Sequence, residues 1–113
     1  MIGIDIVSIS RIDEMINKFG EKALKRFLNE SEILLTKSSQ NAAGFWAAKE
    51  AFSKALGTGI GSECSFLDIE ISKDQKGKPF FTTKTLNKFN IKQADLSISH
   101  DGGFAIAAVI LLK

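Results

Sequence analysis

Two charged residues one helical turn apart stand immediately before a glycine-rich segment. Glu50 and Lys54 are four residues apart in the stretch GFWAAKEAFSKALGTGIG, residues 44–61, so they share one face of the helix that this stretch predicts. Glycines then follow at positions 57, 59 and 61, where they end the helix and leave the backbone open to close approach. A carboxylate, an ammonium group and a bare loop together suit a site for a metal-bound phosphate.

The order of these features differs from that of the common phosphate-binding loops. Those loops place their glycines before a helix, so that the positive end of the helix dipole meets the anion. Here the glycines follow the helix, and the pattern GxxxxGK[ST] is absent. A phosphate at this end therefore needs another positive partner, which is either Lys54 or a metal held by Glu50.

Asp5 is the candidate for a second metal ligand. It lies in MIGIDIV, where Ile2, Ile4 and Ile6 alternate with Gly3, Asp5 and Val7 as in a strand. A carboxylate among apolar residues needs a partner or a metal, and Mg²⁺ usually takes one or two protein carboxylates. The residues alone leave two interpretations open, a Mg²⁺–diphosphate site and a structural ion pair or helix cap.

Composition bounds the classes of function. The chain has 113 residues and a net charge of only +2, which predicts one domain over residues 1–113 and gives no argument for nucleic-acid binding. No run of 18 apolar residues is present, and MIGIDIV lacks the pattern of a signal peptide. We therefore expect a cytoplasmic protein with no membrane segment. The lone Cys64 excludes an intrachain disulfide, and we expect it to be a packing residue.

The elements that must position these residues follow from periodicity and turn residues. Their order predicts an α+β fold with a small mixed, largely antiparallel sheet packed with helices. The predicted elements are a strand in MIGIDIV, helices in SISRIDEMINKF, EKALKRFL and NESEILLT, a helix over 41–56, a strand in SFLDIEI, a hairpin turn in KDQKGKP followed by a return strand that FFT begins, a helix in TKTLNKFNI and strands in ADLSISH and FAIAAVILL.

Four segments together resemble the holo-acyl-carrier-protein synthases, the short bacterial branch of the 4′-phosphopantetheinyl transferases. The segments are IGIDIVSISRI, FWAAKEAFSKALGTGIG, DIEISKDQKGKPFF and LSISHDGGFAIAAV. The resemblance covers nearly the whole chain in the family's order. It implies the 4′-phosphopantetheinyl transferase fold and transfer of the 4′-phosphopantetheine arm of coenzyme A to a serine of apo-acyl carrier protein, in fatty acid biosynthesis, with release of adenosine 3′,5′-bisphosphate.

The resemblance also implies roles for the catalytic residues. Asp5 and Glu50 match the family's Mg²⁺ ligands, and Lys54 matches the lysine that contacts the coenzyme A diphosphate. The general base stays open among Glu50, Glu32 and a metal-bound water. The residues expected to contact coenzyme A are Lys54, Gly57, Thr58, Gly59, Lys78, Pro79 and His100. For His100 and Lys78 the ordinary alternatives are a structural histidine and a solvated hairpin lysine.

A basic face is expected to bind the acidic acyl carrier protein. Arg11, Lys18, Lys22 and Lys25 would share one face if the helix continued through Gly20. Arg11 matches a family arginine, and a charge run of this kind is otherwise an ordinary solvated face.

The last strand, FAIAAVILL, is apolar at almost every position, whereas a half-exposed strand would alternate. We expect self-association to cover it, and the resemblance implies a homotrimer whose sites lie at subunit junctions. The alternative is a monomer whose helices cover both faces of the strand. On this expectation, replacing Ala107 or Val109 with glutamate would dissociate the assembly.

Two rival functions remain at this stage. One is a non-enzymatic module that binds an acidic partner through the basic face, with no metal requirement and no role for Glu50. The other is a different Mg²⁺-dependent nucleotide enzyme, which no motif in the sequence supports.

Overall fold

A computed structural model describes all 113 residues. The chain forms five α-helices, a 3₁₀ turn and five strands. Their bounds are β1 Ile2–Ser8, α1 Ile9–Phe19, α2 Glu21–Phe27, α3 Glu30–Leu35, α4 Ser39–Leu56, the 3₁₀ turn Phe66–Asp68, β2 Ile71–Lys73, β3 Pro79–Phe81, α5 Thr83–Lys88, β4 Gln93–Asp101 and β5 Phe104–Leu112.

The strands form two antiparallel sheets. The larger has the order β1-β5-β4, so β1 and β4 are its edges, and the smaller is the β2-β3 hairpin. Asp5 lies opposite Ala107 and Ala107 opposite Ile98 in the register of the larger sheet. Every strand pairing is antiparallel, which confirms the predicted α+β class with helices packed on the sheet.

Local sequence signals account for most of the element ends. Asn29 and Glu32 form a capping box at the start of α3, and Gly57 ends α4 in the left-handed conformation, with φ 93°. Gly102 and Gly103, with φ 58° and 82°, form the two-residue turn between β4 and β5.

Two predicted elements differ from the structure. The segment SFLDIEI is not one strand, because Phe66–Asp68 forms a 3₁₀ turn and only Ile71 begins β2. Helix α4 begins at Ser39, two residues earlier than predicted, with the Ser38 hydroxyl accepting from the Asn41 amide. The two separate helices predicted on either side of Gly20 are confirmed, because Gly20, with a φ of 59°, separates α1 from α2.

That break also corrects the predicted basic face. Arg11 and Lys18 lie on α1, whereas Lys22 and Lys25 lie on α2, so the four residues do not share one helix face. Lys25 also forms an exposed ion pair with Glu21, at 3.7 Å.

Helix α4 packs across one face of the larger sheet through small residues. Ala47, Ala51 and Ala55 are buried on this side of the helix. Gly3 of β1 lies so close that an added Cβ would stand 2.0 Å from the carbonyl oxygen of Ala51 and 2.6 Å from the amide of Ala55. The C-terminal half of α4 is thereby held directly on the strand that carries Asp5.

The other face of the larger sheet is uncovered within the chain. Its apolar side chains are about half exposed or more: Ile2, Ile4, Ile6, Phe104, Ile110 and Leu112. Ala107 and Val109 point the other way and are fully buried under α4. The monomer alternative that covers both faces is therefore wrong. Ala107 and Val109 are also wrong as probes of assembly, because a charge there would disrupt the chain's own core.

None of the five helices combines the length and the apolar character required to cross a bilayer.

We predict that Gly3→Ala destabilises the protein strongly. The added methyl group would meet backbone atoms on a helix that cannot move without disturbing the core, so we expect a loss of about 3 kcal/mol or more and a Tm lowered by at least about 10 °C. Thermal unfolding measures this change. Gly61→Ala is the matched control, because a Cβ at Gly61 meets nothing within 4 Å; equal Tm values for the two variants would contradict the close packing of α4 on β1.

Candidate functional site

The predicted metal ligands come together at the edge of the larger sheet. Asp5 belongs to the edge strand β1 and projects toward α4, which carries Glu50 and Lys54. The charge of Asp5 is near enough to Glu50 to raise the pKa of that carboxyl. Asp5 is 49 residues from Lys54 in the sequence. The fold nevertheless brings Asp5, Glu50 and Lys54 into one cluster.

Lys54 pairs with Asp5 and not with Glu50. Its Nζ lies 3.0 Å from Asp5 Oδ1, and the same ammonium donates to the carbonyl oxygen of Ile4 at 3.2 Å. No ion pair joins Glu50 to Lys54, although their spacing suits one. The alternative of a structural ion pair between Glu50 and Lys54 is therefore wrong, because Lys54 pairs with Asp5 instead.

Glu50 is in an unfavourable setting for a carboxylate. Burial raises its pKa above the ordinary value of 4.5, and the negative charge of Asp5 raises it further, while Lys54 and Arg11 oppose the shift. A divalent cation bound by both carboxylates would offset the repulsion between their negative charges. The site therefore fits Mg²⁺ in its usual arrangement, with two protein carboxylates and the remaining ligands from water and substrate. No cluster of three histidine, cysteine or acidic side chains exists in the chain.

The loop after α4 has its amides occupied. The amides of Gly57, Thr58 and Gly59 all donate to the carbonyl oxygen of Ser53, at 3.0 to 3.2 Å. They cap the helix, so they do not form an amide cradle for a phosphate. What the loop offers a ligand is close approach to the backbone at Gly57 and Gly59, and the exposed Thr58 side chain, whose hydroxyl donates to the carbonyl oxygen of Gly59.

Glu32 is excluded as a general base. It is fully buried, and both of its carboxylate oxygens are engaged. Oε1 accepts from Lys49 Nζ and from the amide of Asn29, each at 2.7 Å, and Oε2 accepts from the amide of Ile71 at 2.8 Å. A proton donor in solution or on a substrate cannot reach it.

Lys49, which directly precedes Glu50, is the buried partner that sequence reasoning did not single out. Its ammonium donates to Glu32 and to the carbonyl oxygens of Phe27 and Phe66, at 2.7 and 3.0 Å. Burial lowers its pKa, and Glu32 opposes that shift. A lysine in an alanine-rich helix gives no local signal of burial, since its partners come from three other segments.

His100 and Pro79 line a separate cavity of about 160 Å³ together with Asn41, Gly44, Phe45 and Lys73. His100 Nε2 donates to the carbonyl oxygen of Gln40 at 3.1 Å, near the start of α4. Lys78 does not line this cavity; its amide donates to Asp74 in the hairpin turn. Lys73 is the hairpin lysine that does line it, and it was not predicted.

The two groups of predicted ligand-binding residues lie at opposite ends of α4. Gly44, beside His100, and Lys54, beside Asp5, are ten residues apart on the helix, which corresponds to about 15 Å. One chain therefore presents two partial sites, not one continuous cleft. The Asp5 site opens into a second cleft of about 340 Å³ that is also lined by Ile4, Ile6 and Ile106.

Arg11 packs on an aromatic ring near the site, and Cys64 is a buried thiol. The Arg11 guanidinium lies 5.6 Å from the centroid of the Trp46 ring, in the neighbourhood of Glu50. Cys64 is buried, and burial raises the pKa of its thiol to about 11. A thiol in this state is a packing group and not a nucleophile.

Comparison with known proteins gives one consistent result. Residues 1–109 match the family model described as the 4′-phosphopantetheinyl transferase superfamily. A curated relative, the holo-[acyl-carrier-protein] synthase of Campylobacter curvus, is 59% identical over 98% of this chain and 99% of its own. The crystal structure of the Helicobacter pylori holo-[acyl-carrier-protein] synthase in complex with coenzyme A is 54% identical, with a TM-score of 0.91 over 98% of this chain and 99% of that one.

A more distant structure agrees. The Bacillus anthracis holo-(acyl-carrier-protein) synthase, in complex with CoA (3′,5′-ADP), is 46% identical, with a TM-score of 0.82 over 97% of this chain and 93% of that one. These relatives match the fold and the sequence over almost the whole length of the chain.

We predict that Glu50→Gln stabilises the metal-free protein at neutral pH while abolishing its activity. The pKa of Glu50 is higher in the folded state than its ordinary value, so ionisation of Glu50 costs folding free energy above that value, and glutamine avoids the cost. We expect a higher Tm at pH 7 in EDTA. The gain should shrink as the pH falls through the raised pKa and vanish below 4.5, where the group is protonated in both states.

Paired thermal unfolding curves across this pH range measure the difference. A Tm gain that stays constant with pH would show that Glu50 ionisation is not its source.

Proposed function

The chain belongs to the 4′-phosphopantetheinyl transferase superfamily, and we propose that Asp5, Glu50 and Lys54 carry out its reaction. That reaction is the transfer of the 4′-phosphopantetheine group of coenzyme A to a serine of apo-acyl carrier protein, in fatty acid biosynthesis. The observation that carries the residue assignment is the convergence of these three charged groups at the edge of β1, with Lys54 Nζ 3.0 Å from Asp5 Oδ1.

We propose that Mg²⁺ is held by Asp5 and Glu50. The support is the convergence of Asp5 on β1 and Glu50 on α4 at one edge of the sheet, where burial and then the negative charge of Asp5 raise the pKa of Glu50. When bound, the ion would supply positive charge next to the diphosphate of coenzyme A. The chain's own residues position the diphosphate and move the proton.

In the reaction, the hydroxyl oxygen of the carrier serine forms a bond to the β-phosphorus. The bond from that phosphorus to the bridging oxygen breaks, and adenosine 3′,5′-bisphosphate leaves with the negative charge on its 5′-phosphate. Lys54 can stabilise this developing negative charge, because its half-exposed side chain can move its ammonium group toward the leaving phosphate.

The serine proton requires an acceptor, and with Glu32 buried the acceptors that remain are Glu50 and water. Unlike Asp5, Glu50 forms no ion pair, so a carboxylate oxygen of Glu50 that does not contact the metal is available to accept the proton. We therefore propose Glu50 as the base.

The binding surfaces follow from the two partial sites. We propose that coenzyme A contacts Lys54 and the loop of Gly57, Thr58 and Gly59 at one end, and Pro79 and His100 at the other, with Lys73 in the place expected for Lys78. The carrier protein would meet Arg11, which lies beside the metal ligands. For Lys18, Lys22 and Lys25 the support is charge alone, because the break at Gly20 separates them. A cytoplasmic location stays a prediction of the sequence.

A homotrimer with sites shared between subunits is part of the proposal. The exposed apolar face of β1 and β5 adjoins the cleft of Asp5 and Lys54, since Ile4, Ile6 and Ile106 line both. The half-site at His100 is about 15 Å away along α4 in the same chain. A second copy seated on the sheet face could bring its own half-site to this edge.

We predict that the chain adds one phosphopantetheine group to an apo-acyl carrier protein when coenzyme A and Mg²⁺ are present. Intact mass spectrometry of the carrier measures the transfer. Asp5→Ala and Glu50→Gln should abolish it, and EDTA should stop the wild type. Transfer at an undiminished rate by Glu50→Gln in low Mg²⁺ would contradict the assigned site, and no transfer by the wild type would contradict the activity.

We predict that Ile110→Glu dissociates the assembly and lowers activity together. Ile110 is 53% exposed on the central strand of the uncovered face, so a charge there would not disturb the monomer core but would be buried in an assembly. Light scattering should give about three times the chain mass of 12.3 kDa for the wild type and one chain mass for the variant.

Leu34→Glu is the control for this experiment. Leu34 is 76% exposed on α3, which is not part of the uncovered sheet face, and its replacement should leave both mass and activity unchanged. A wild-type monomer with full activity would contradict the shared site.

A further inference from the structure

The ammonium group of Lys54 is paired with Asp5, which is one of the two proposed metal ligands. Its Nζ lies 3.0 Å from Asp5 Oδ1 and 3.2 Å from the carbonyl oxygen of Ile4. Asp5 is largely buried, with a side chain 13% exposed, whereas Lys54 is 52% exposed. The carboxylate is therefore fixed in place, and the lysine is the mobile member of the pair.

We propose that Lys54 is an internal counter-ion for Asp5, which a divalent cation must displace before it can bind. This inference rests on the proposed function in taking Asp5 and Glu50 as the metal ligands. A carboxylate oxygen that is neutralised by an ammonium at 3.0 Å has lost much of the charge that would attract a metal. The cation and Lys54 thus compete for the same oxygen.

Glu50 does not take part in this neutralisation. It forms no ion pair with Lys54 or with any other cationic side chain. The cluster therefore holds one neutralised carboxylate and one that lacks a contact partner of opposite charge. A divalent cation that binds both must move Lys54 away from Asp5, and the half-exposed side chain has open space in the adjoining cleft.

The displacement gives Lys54 two successive partners. Without the metal it is bound to Asp5; with the metal in place it is free to contact an anionic ligand beside the metal, such as a diphosphate. Each of the two ligands then favours the binding of the other, because the diphosphate offers the displaced ammonium a new partner. The structure thereby assigns Lys54 a part in coupling metal binding to coenzyme A binding, in addition to any part in the chemical step.

The test is the affinity of the coenzyme A-free protein for Mg²⁺, measured by calorimetry. Lys54→Met keeps the length of the side chain and removes the charge, so we expect it to bind Mg²⁺ about twofold to fivefold more tightly than the wild type, the scale of one partly exposed ion pair. The Mg²⁺-induced rise in Tm should increase in the same variant.

Lys88→Met is the matched control. Lys88 is also 52% exposed and also paired with an aspartate, with its Nζ 3.4 Å from Asp68 Oδ1, but it lies outside the site. Its replacement should leave the Mg²⁺ affinity unchanged.

Repeating Lys54→Met in an Asp5→Asn background separates direct competition from a general charge effect. Competition at Asp5 predicts that the gain in affinity disappears in this background. An equal gain there would overturn the inference, as would a wild-type affinity in Lys54→Met or no Mg²⁺ binding by that variant. Transfer of phosphopantetheine by the wild type is measured separately, so the proposed function can hold while this inference fails.

Discussion

The buried ion pair of Lys49 and Glu32 is the interaction on which the arrangement of the chain depends. Neither side chain has any exposed surface, and burying two charges is costly unless every polar atom finds a partner. Here each does, through the carbonyl oxygens of Phe27 and Phe66 and the amides of Asn29 and Ile71. The pair thereby joins the end of α2, the start of α3, the 3₁₀ turn and β2 to the middle of α4.

This anchoring matters for the site because Glu50 is the next residue after Lys49. The ion pair fixes the rotation of α4, and the alanines on another side of the helix allow it to lie against Gly3 of β1. Together these contacts determine where Glu50 and Lys54 stand relative to Asp5. Helix α4 thus has three sides with different roles. One side carries the buried Lys49, another carries the alanines that pack on β1, and the third carries Glu50 at the site.

The uncovered face of the larger sheet and the two partial sites have one feature in common, which is that each is incomplete within a single chain. One face of β5 is buried under α4, and the other presents Ile110 and Leu112 to solvent at more than half exposure. The carboxylates that we propose as metal ligands lie at the rim of that face, and His100 lies toward the other end of α4. The proposed assembly would bury this apolar surface, and it would bring the His100 half-site of one copy to the Asp5 edge of another.

The sequence by itself determined the features that depend on neighbours along the chain. These include the helix end at Gly57, the hairpin turn in KDQKGKP and the order of most helices and strands along the chain, since each follows from local backbone preference or periodicity. The identity of the Asp5–Glu50–Lys54 cluster was also predictable, because its motifs are specific. Tertiary structure alone decided which charge pairs with which: that Lys54 turns to Asp5, that Lys49 withdraws Glu32 from solvent, and that the isoleucines of β1 are on its open face. Charge burial and pairing are settled by segments tens of residues away, and no local pattern records them.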